Sequence, residues 1–333
     1  MRRTGIVAGI GSAVPARTVT NHQLAERMDT SDQWIRSRTG IAERRVIEPG
    51  TSTSDLAVEA GLRALRSAGT DRVDAVVLAT ATPDHQVPAT APAVAARLDL
   101  PGVPAYDVSA VCTGFLYGLS SGLGLIAQEA ADTVLVIGAD AFTTIIDPTD
   151  RNTAPIFGDG AGAVVLRAGA PDEPGAVAAM ELGSDGRLAE LIIVPAGGSR
   201  QRSSGVPAAP GDHFMLMQGR EVFKHAVVRM TDSARSVLAR AGWPLDSVDL
   251  LVGHQANARI LHSVAEQLGL PPERAFLNLD RYGNTAAGSI PLALHEAAAT
   301  GVLKPGDRVL TAAFGAGTTW GAACLTWPDV SAG

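Results

Sequence analysis

Three side chains suited to covalent and hydrogen-bond catalysis stand far apart in this chain. Cys112 lies in Asp107-Val108-Ser109-Ala110-Val111-Cys112-Thr113-Gly114-Phe115, where a strand-like run, Val103 to Val108, enters a small-residue turn and a long helical pattern opens. His254 lies in Gly253-His254-Gln255-Ala256-Asn257 and Asn284 in Tyr282-Gly283-Asn284-Thr285-Ala286-Ala287-Gly288-Ser289. A thiol at a helix start meets the positive end of the helix dipole, which favours the nucleophilic thiolate. A cysteine and a histidine set this far apart must be gathered by the fold. His254 follows an apolar strand pattern and precedes a helical one, the strand end at which α/β proteins place ligands. Asn284 could simply cap the helix that follows it, although its small neighbours would also let backbone approach a ligand closely.

Other candidates carry less. Cys324 sits in an apolar strand pattern and reads as packing. His22, His85, His213, His225, His262 and His295 lack comparable settings and default to structural roles. The glycine-rich Phe314-Gly315-Ala316-Gly317-Thr318-Thr319-Trp320-Gly321 is a turn between two strands, whose N–H groups could form an oxyanion hole. Gly9-Ile10-Gly11 and Gly158-Asp159-Gly160-Ala161-Gly162 do not give G-x-G-x-x-G before a helix, and no Walker lysine is present, so nucleotide binding is not expected.

The elements that must position these residues are legible in the composition and patterning. The chain has 333 residues, 46% hydrophobic and 18% charged, enough for a large core in two domains or one two-lobed unit. A formal net charge of -7 argues against general nucleic-acid binding. Two cysteines far apart give neither a disulfide framework nor a zinc site, so a reducing cytoplasm is the default location. No apolar run reaches the length of a membrane helix. Met1-Arg2-Arg3-Thr4 resembles a twin-arginine start, but the glycine-rich stretch after it, broken by Pro15, reads better as a first strand.

Strands are expected over Asp74 to Thr80, Thr133 to Gly138, Gly162 to Leu166, Leu250 to Val252 and Arg308 to Ala313. Helices are expected over Thr53 to Ala68, Cys112 to Ala130, Gln218 to Ala241, Asn257 to Leu268 and Asn284 to Thr300. Thr53 and Ser31 are candidate N-caps, and Gly69 and Gly242 candidate stops. Such alternation implies an α/β fold. Pro195 to Gly211 reads as a long surface loop. Three segments also recur in order and at a nearly constant offset: those at Val73, Val94 and Val134 resemble those at Val248, Val264 and Val309. Two similar halves follow, divided as 1–172, with the cysteine, and 173–333, with the histidine and asparagine; Cys112 and Asn284 open corresponding helices.

Taken together these residues resemble the thiolase superfamily and, within it, the 3-oxoacyl-acyl carrier protein synthase III family. The resemblance runs through nearly the whole chain: Asp32-Gln33-Trp34-Ile35-Arg36-Ser37-Arg38-Thr39-Gly40-Ile41, the Cys112 turn, Asp147-Pro148-Thr149-Asp150-Arg151, Phe157-Gly158-Asp159-Gly160-Ala161-Gly162, Gly253 to Asn257, Gly283-Asn284-Thr285 and the terminal glycine turn. It implies a five-layered αβαβα fold of two similar halves and a homodimer. It implies an acyltransferase that condenses an acyl-CoA primer with malonyl-acyl carrier protein, with decarboxylation, to start fatty-acid, polyketide or other secondary-metabolite chains. Cys112 would carry the acyl group, and a neutral His254 would act with Asn284 on the malonyl thioester. The N–H groups of Cys112 and Ala316 would hold the oxyanion. Trp34, Arg38 and Arg151 match positions that contact CoA, and Arg259 and Lys224 match positions where the carrier protein docks. Val87 stands where some relatives carry a phenylalanine that limits the acyl pocket from across the dimer, and Thr318 replaces an aromatic found in some relatives; the smaller residue at position 87 would admit a longer or branched primer. No cofactor or metal is implied beyond the two thioester substrates.

Competing readings use the same scaffold. A transferase passing the acyl group to an alcohol or amine often lacks the asparagine, which is intact here. A degradative thiolase needs a second catalytic cysteine, and Cys324 is not in a suitable motif. Chalcone-synthase-like chemistry shares the triad but fits the carrier-protein motifs less well. A non-catalytic partner subunit of a ketosynthase typically loses the cysteine, and Cys112 is retained.

Overall fold

The strand Thr133–Asp140 shows how the layers arise. Val134 and Val136 pack on one side of it and Leu135, Ile137 and Ala139 on the other, all fully buried, because successive strand side chains point to opposite faces. A strand apolar on both faces must lie between two layers of helices. The computed structural model describes residues 3–332 and satisfies that requirement.

Five strands form the first sheet: β1 (Thr4–Ala13), β2 (Ala75–Ala79), β3 (Ala105–Val108), β4 (Thr133–Asp140) and β5 (Gly160–Gly169). Their spatial order is β1-β5-β4-β2-β3; β4, β2 and β3 run parallel, and β5 is antiparallel to both its neighbours. The second sheet joins β6 (Val177–Ser184), β7 (Leu250–Leu251), β8 (Arg308–Gly315) and β9 (Thr319–Thr326) in the order β7-β8-β9-β6. It repeats the pattern, β7 parallel to β8 and β9 antiparallel to both neighbours. The place corresponding to β3 is held by a single parallel bridge, Leu251 to Ala275. Met1 and Arg2, part of the twin-arginine motif, lie outside the described residues; the segment after them is β1, as expected.

Helices α1 (Asp32–Thr39), α2 (Thr53–Ala68), α3 (Ala91–Arg97), α4 (Gly114–Ala127), α5 (Gly219–Ala241), α6 (Ala258–Leu268) and α7 (Ser289–Ala299) surround the sheets. α2 and α3 cover the outer face of the first sheet, and α5 and α6 that of the second. α4 and α7 lie between the sheets, where Phe115, Leu116, Ile290 and Leu294 share a core with Val77, Val136, Val309 and Ala313. The result is the five-layered thiolase-like αβαβα architecture.

The two halves close with the same device. In the first, Asp74 Oδ2 accepts the N–H groups of Asp132 and Thr133; at the matching place in the second, Asp249 Oδ2 accepts that of Arg308. The entries to the two central helices match as well. Val111 and Ala286, related by the same offset as Asp74 and Asp249, are both left-handed, with φ of 48° and 45°, and each opens a short 3-10 turn, Val111–Thr113 or Ala286–Gly288.

Several boundaries differ from expectation. Ser52, not Thr53, caps α2: its N–H donates to Asp55 (2.7 Å), while the Thr53 hydroxyl is drawn to the Thr82 carbonyl (2.6 Å). Ser31 caps α1 as read, accepting from Trp34 N–H at 3.1 Å, and Gly69 and Gly242 end α2 and α5 in the left-handed conformation. The regular helices after Cys112 and Asn284 begin only at Gly114 and Ser289, because the left-handed residue in each entry interrupts helical hydrogen bonding. The 195–211 stretch is not structureless; it holds the short helix Ser199–Ser203. Among the described residues no helix is long and apolar enough to cross a membrane.

Candidate active site

Cys112, His254 and Asn284 line one cavity of about 1170 Å³. Cys112 lies in the 3-10 turn at the entry to α4, with its side chain almost wholly buried. Burial and the nearby Asp140 carboxylate push its thiol up to about 12. This corrects the expectation of a favoured thiolate. Loss of solvation and a like charge outweigh the helix dipole and the hydrogen bond from Asn284, both of which favour the anion.

Asn284 is held from both sides. Its N–H donates to the Ile156 carbonyl (2.8 Å) and its carbonyl accepts from Gly158 N–H (3.0 Å). Its Oδ1 accepts the Ala286 N–H at 2.9 Å, so the capping role exists. It uses only the oxygen end of the carboxamide, and the side chain also reaches the Cys112 sulfur. Arg44 fixes the loop that grips Asn284, donating to Pro155 O at 2.8 Å and Asn21 Oδ1 at 2.7 Å. Burial pushes its guanidinium down to about 10.

His254 follows β7, and its N–H donates to the Ala312 carbonyl of β8 (2.9 Å). Its Nδ1 lies 2.6 Å from Ser289 Oγ at the first residue of α7. Burial alone drives its pKa down to about 3, so the ring is neutral at physiological pH. The adjacent Gln255 anchors the loop, donating to Gly253 O and Phe276 O and accepting from Asn278 N–H.

The β8–β9 turn lies against the cysteine. A Cβ on Gly315 would sit 3.0 Å from Cys112 N and 3.1 Å from Thr113 N; only glycine keeps that N–H side clear. Thr319 Oγ1 donates to Ala316 O and pairs with the Thr113 hydroxyl, tying turn to helix entry. Gly315 is the second-half counterpart of Asp140, and the two contrast. Asp140 fills its place with a carboxylate that accepts the Ala287 N–H at 2.9 Å. Its other oxygen accepts from Thr80, Ala81 and Thr82, and burial raises its pKa to about 6.

The cavity mouth is basic and aromatic. The Arg38 and Arg151 guanidiniums lie 4.5 and 4.7 Å from the Trp34 ring, and Arg151 also pairs with Asp29 at 3.1 Å. Arg259 stands over Phe223, and Lys224 pairs with Glu221 (2.8 Å). All of these cations line the cavity. Deeper in, Phe142 and Phe157 stack at 4.7 Å beside Met215 and the cysteine. Thus the predicted CoA and carrier-protein residues line the triad's cavity, and Val87 and Thr318 do not line it within the single chain. Val87 is 86% exposed on a loop, and Thr318 is buried against Asp185, its N–H donating to that carbonyl (3.2 Å). Within the chain the apolar wall of the cavity is built by Phe142, Phe157, Ile192, Met215 and Met217.

Sequence reasoning gave no role to Asp140, Phe142, Gln255 or Ser289. Asp140 alone left a signal, a single acid ending an otherwise apolar strand. The three others become meaningful only through partners distant in sequence.

The comparisons with known proteins agree with this geometry. Residues 106–186 match the family described as 3-oxoacyl-acyl carrier protein synthase III, and residues 238–327 match its C-terminal region. The chain is 58% identical over 332 residues to β-ketoacyl-acyl carrier protein synthase III 5 of Streptomyces coelicolor, covering 100% of both chains. Its structure superposes on 3-oxoacyl-(acyl carrier protein) synthase III from Pseudomonas aeruginosa with a TM-score of 0.92 at 48% identity, covering 98% of this chain and 99% of that one. A priming β-ketosynthase from a polyketide biosynthetic pathway gives 0.91 at 32% identity, covering 99% and 98%. With its cysteine, histidine and asparagine gathered in one cavity and its full length matched, the chain belongs to the 3-oxoacyl-acyl carrier protein synthase III family of acyltransferases.

Proposed function

We propose that this enzyme starts fatty-acid or polyketide chains by condensing an acyl-CoA primer with malonyl-acyl carrier protein. The observation that carries the proposal is one cavity with the thiol, imidazole and carboxamide at its depth and Trp34, Arg38 and Arg151 at its mouth. An indole ring suits adenine, and guanidinium groups suit phosphate. Arg259 and Lys224 give an acidic carrier protein its docking charges.

Cys112 attacks the primer thioester, the thiol proton leaves with CoA, and an acyl-cysteine remains. The acyl chain lies against Phe142, Phe157 and Met215. Malonyl-carrier protein then loses carbon dioxide, and the electron pair of the broken bond forms an enolate. His254 and Asn284 donate hydrogen bonds to the enolate oxygen. A neutral imidazole stabilises that charge without protonating the carbon. The carbon attacks the acyl-cysteine, and the N–H groups of Cys112 and Ala316 hold the tetrahedral oxyanion. Collapse expels the cysteine sulfur, which regains a proton. These groups, with two thioesters as substrates, suffice without a cofactor.

The active form is a homodimer, a reading supported by the exposure of Val87 and by β3 at the edge of its sheet. In the dimer Val87 would reach the partner's acyl pocket.

The test is mass spectrometry of products formed from malonyl-acyl carrier protein and a panel of acyl-CoAs. A 3-oxoacyl-carrier protein, lost in Cys112→Ala, supports the reading and identifies the primer. An acyl adduct on Cys112 with no condensed product overturns it in favour of transfer to an alcohol or amine.

A further inference from the structure

His254 is neutral and buried, so one ring nitrogen bears a hydrogen and the other does not. Which one is set by the group facing Nδ1, and that group is the Ser289 hydroxyl at 2.6 Å. Ser289 is 1% exposed, so its hydrogen must find a protein acceptor. Its Oγ has one other hydrogen-bond partner among the described residues, the Gln255 N–H at 3.4 Å, and that group is a donor. The Thr285 carbonyl one turn back accepts the Gly288 N–H at 2.9 Å and makes no hydrogen bond with the Ser289 hydroxyl. Nδ1 is therefore the acceptor left to the serine hydrogen.

The first half supplies an internal control. By the offset that relates Val111 to Ala286, the counterparts of Ser289 and His254 are Gly114 and Ala79, and a Cβ on Gly114 would lie 3.1 Å from the Ala79 Cβ. The same helix start meets the same strand end with no hydroxyl and no ring. The fold does not require a serine there; it stands where the histidine stands.

We propose that Ser289 is a positioning residue that fixes the His254 tautomer, donating its hydroxyl hydrogen to Nδ1 and so keeping the ring hydrogen on Nε2, directed at the substrate. With the opposite tautomer His254 would present a lone pair to the enolate oxygen and repel it. This inference rests on the proposed condensation for its catalytic consequence, but not for the tautomer itself.

The experiment uses protein labelled with ¹⁵N in histidine. Ring nitrogen–hydrogen spectra are recorded for the wild type, Ser289→Ala and Ser289→Thr, with the His254 ring assigned by its loss in His254→Ala. The expected result is an Nε2–H tautomer in the wild type and in Ser289→Thr, and a shift toward Nδ1–H in Ser289→Ala. In parallel, Ser289→Ala retains acylation of Cys112 by acyl-CoA within about twofold, and condensation with malonyl-carrier protein falls about 10- to 100-fold, restored by Ser289→Thr. An Nδ1–H tautomer in the wild type overturns the proposal. So does an unchanged tautomer and condensation rate in Ser289→Ala, or an equal loss of both half-reactions, which would mark a merely structural residue. If the wild type acylates but never condenses while the spectra behave as expected, the functional reading fails and the tautomer assignment stands.

Discussion

Gly138 and Ala287 meet so closely across the two halves that a Cβ built on Gly138 would lie 2.2 Å from the Ala287 carbonyl oxygen. That oxygen belongs to the turn immediately after Asn284, which cannot retreat independently because Asp140 holds the Ala287 N–H. Gly138→Ala should therefore destabilise the protein by about 3 kcal/mol or more, since backbone rather than a flexible side chain must yield. Urea unfolding of the two proteins at neutral pH measures this. A change below about 1 kcal/mol would mean that the seam is softer than its geometry implies.

Cys112 should behave as a dormant thiol in the free enzyme. With a pKa of about 12, the thiolate is about one part in 10⁴ at pH 8. Its alkylation by iodoacetamide should rise about tenfold per pH unit from pH 7 to 9.5 with no plateau, whereas an ordinary thiol levels off near its own pKa. A plateau near pH 8 in rates followed by mass spectrometry would show that the helix dipole overcomes burial.

Acid should weaken the fold through His254. Its folded pKa of about 3 lies below the ordinary 6.5, so as pH falls the unfolded chain binds the proton first. The associated stability is fully present above about pH 6.5 and declines below it. From pH 7 to 5 the wild type should lose roughly 2 kcal/mol more than His254→Ala, read from paired urea titrations. Parallel losses in the two proteins would show that the buried ring is not the cause.

Trp34→Ala should raise KM for the acyl-CoA about tenfold and leave kcat within about twofold, because Trp34 lines the mouth and not the reacting centre. Steady-state kinetics with acyl-CoA as the varied substrate decides this. A matching fall in kcat would place the indole's influence on the chemistry.

The elements that position the site were legible where local pattern and burial agree. Thr53–Ala68 was read at its observed bounds because an amphipathic run ends in a left-handed glycine. Cys112, His254 and Asn284 could be named because each follows a strand or turn signal and lies in a dense family motif. The cap at Ser52 is not legible in the sequence because the choice between adjacent hydroxyls is made by Thr82, which is remote from Thr53 in sequence. The thiol's protonation departs from the sequence expectation for a similar reason. Dipole arguments are local, whereas desolvation and the Asp140 charge come from the assembled core. The apolar wall of the cavity, too, depends on Phe142 and Phe157 stacking across the loop that separates them, and no single-residue signal marks it.

The paired left-handed entries at Val111 and Ala286 leave the molecule carrying a copy of its own proposed intermediate. Each entry turns a backbone N–H outward in the manner of a small anion cradle. In the second half the cradle is permanently occupied, because the Asp140 carboxylate sits on Ala287 N–H at 2.9 Å. In the first half the corresponding Cys112 N–H meets no carboxylate, only its own thiol, and Gly315 places no Cβ against it. On the proposed mechanism, the aspartate oxygen occupies in the second half the place that a transient oxygen anion would take in the first. An inhibitor designer could take the placement of its own carboxylate from that half of the protein.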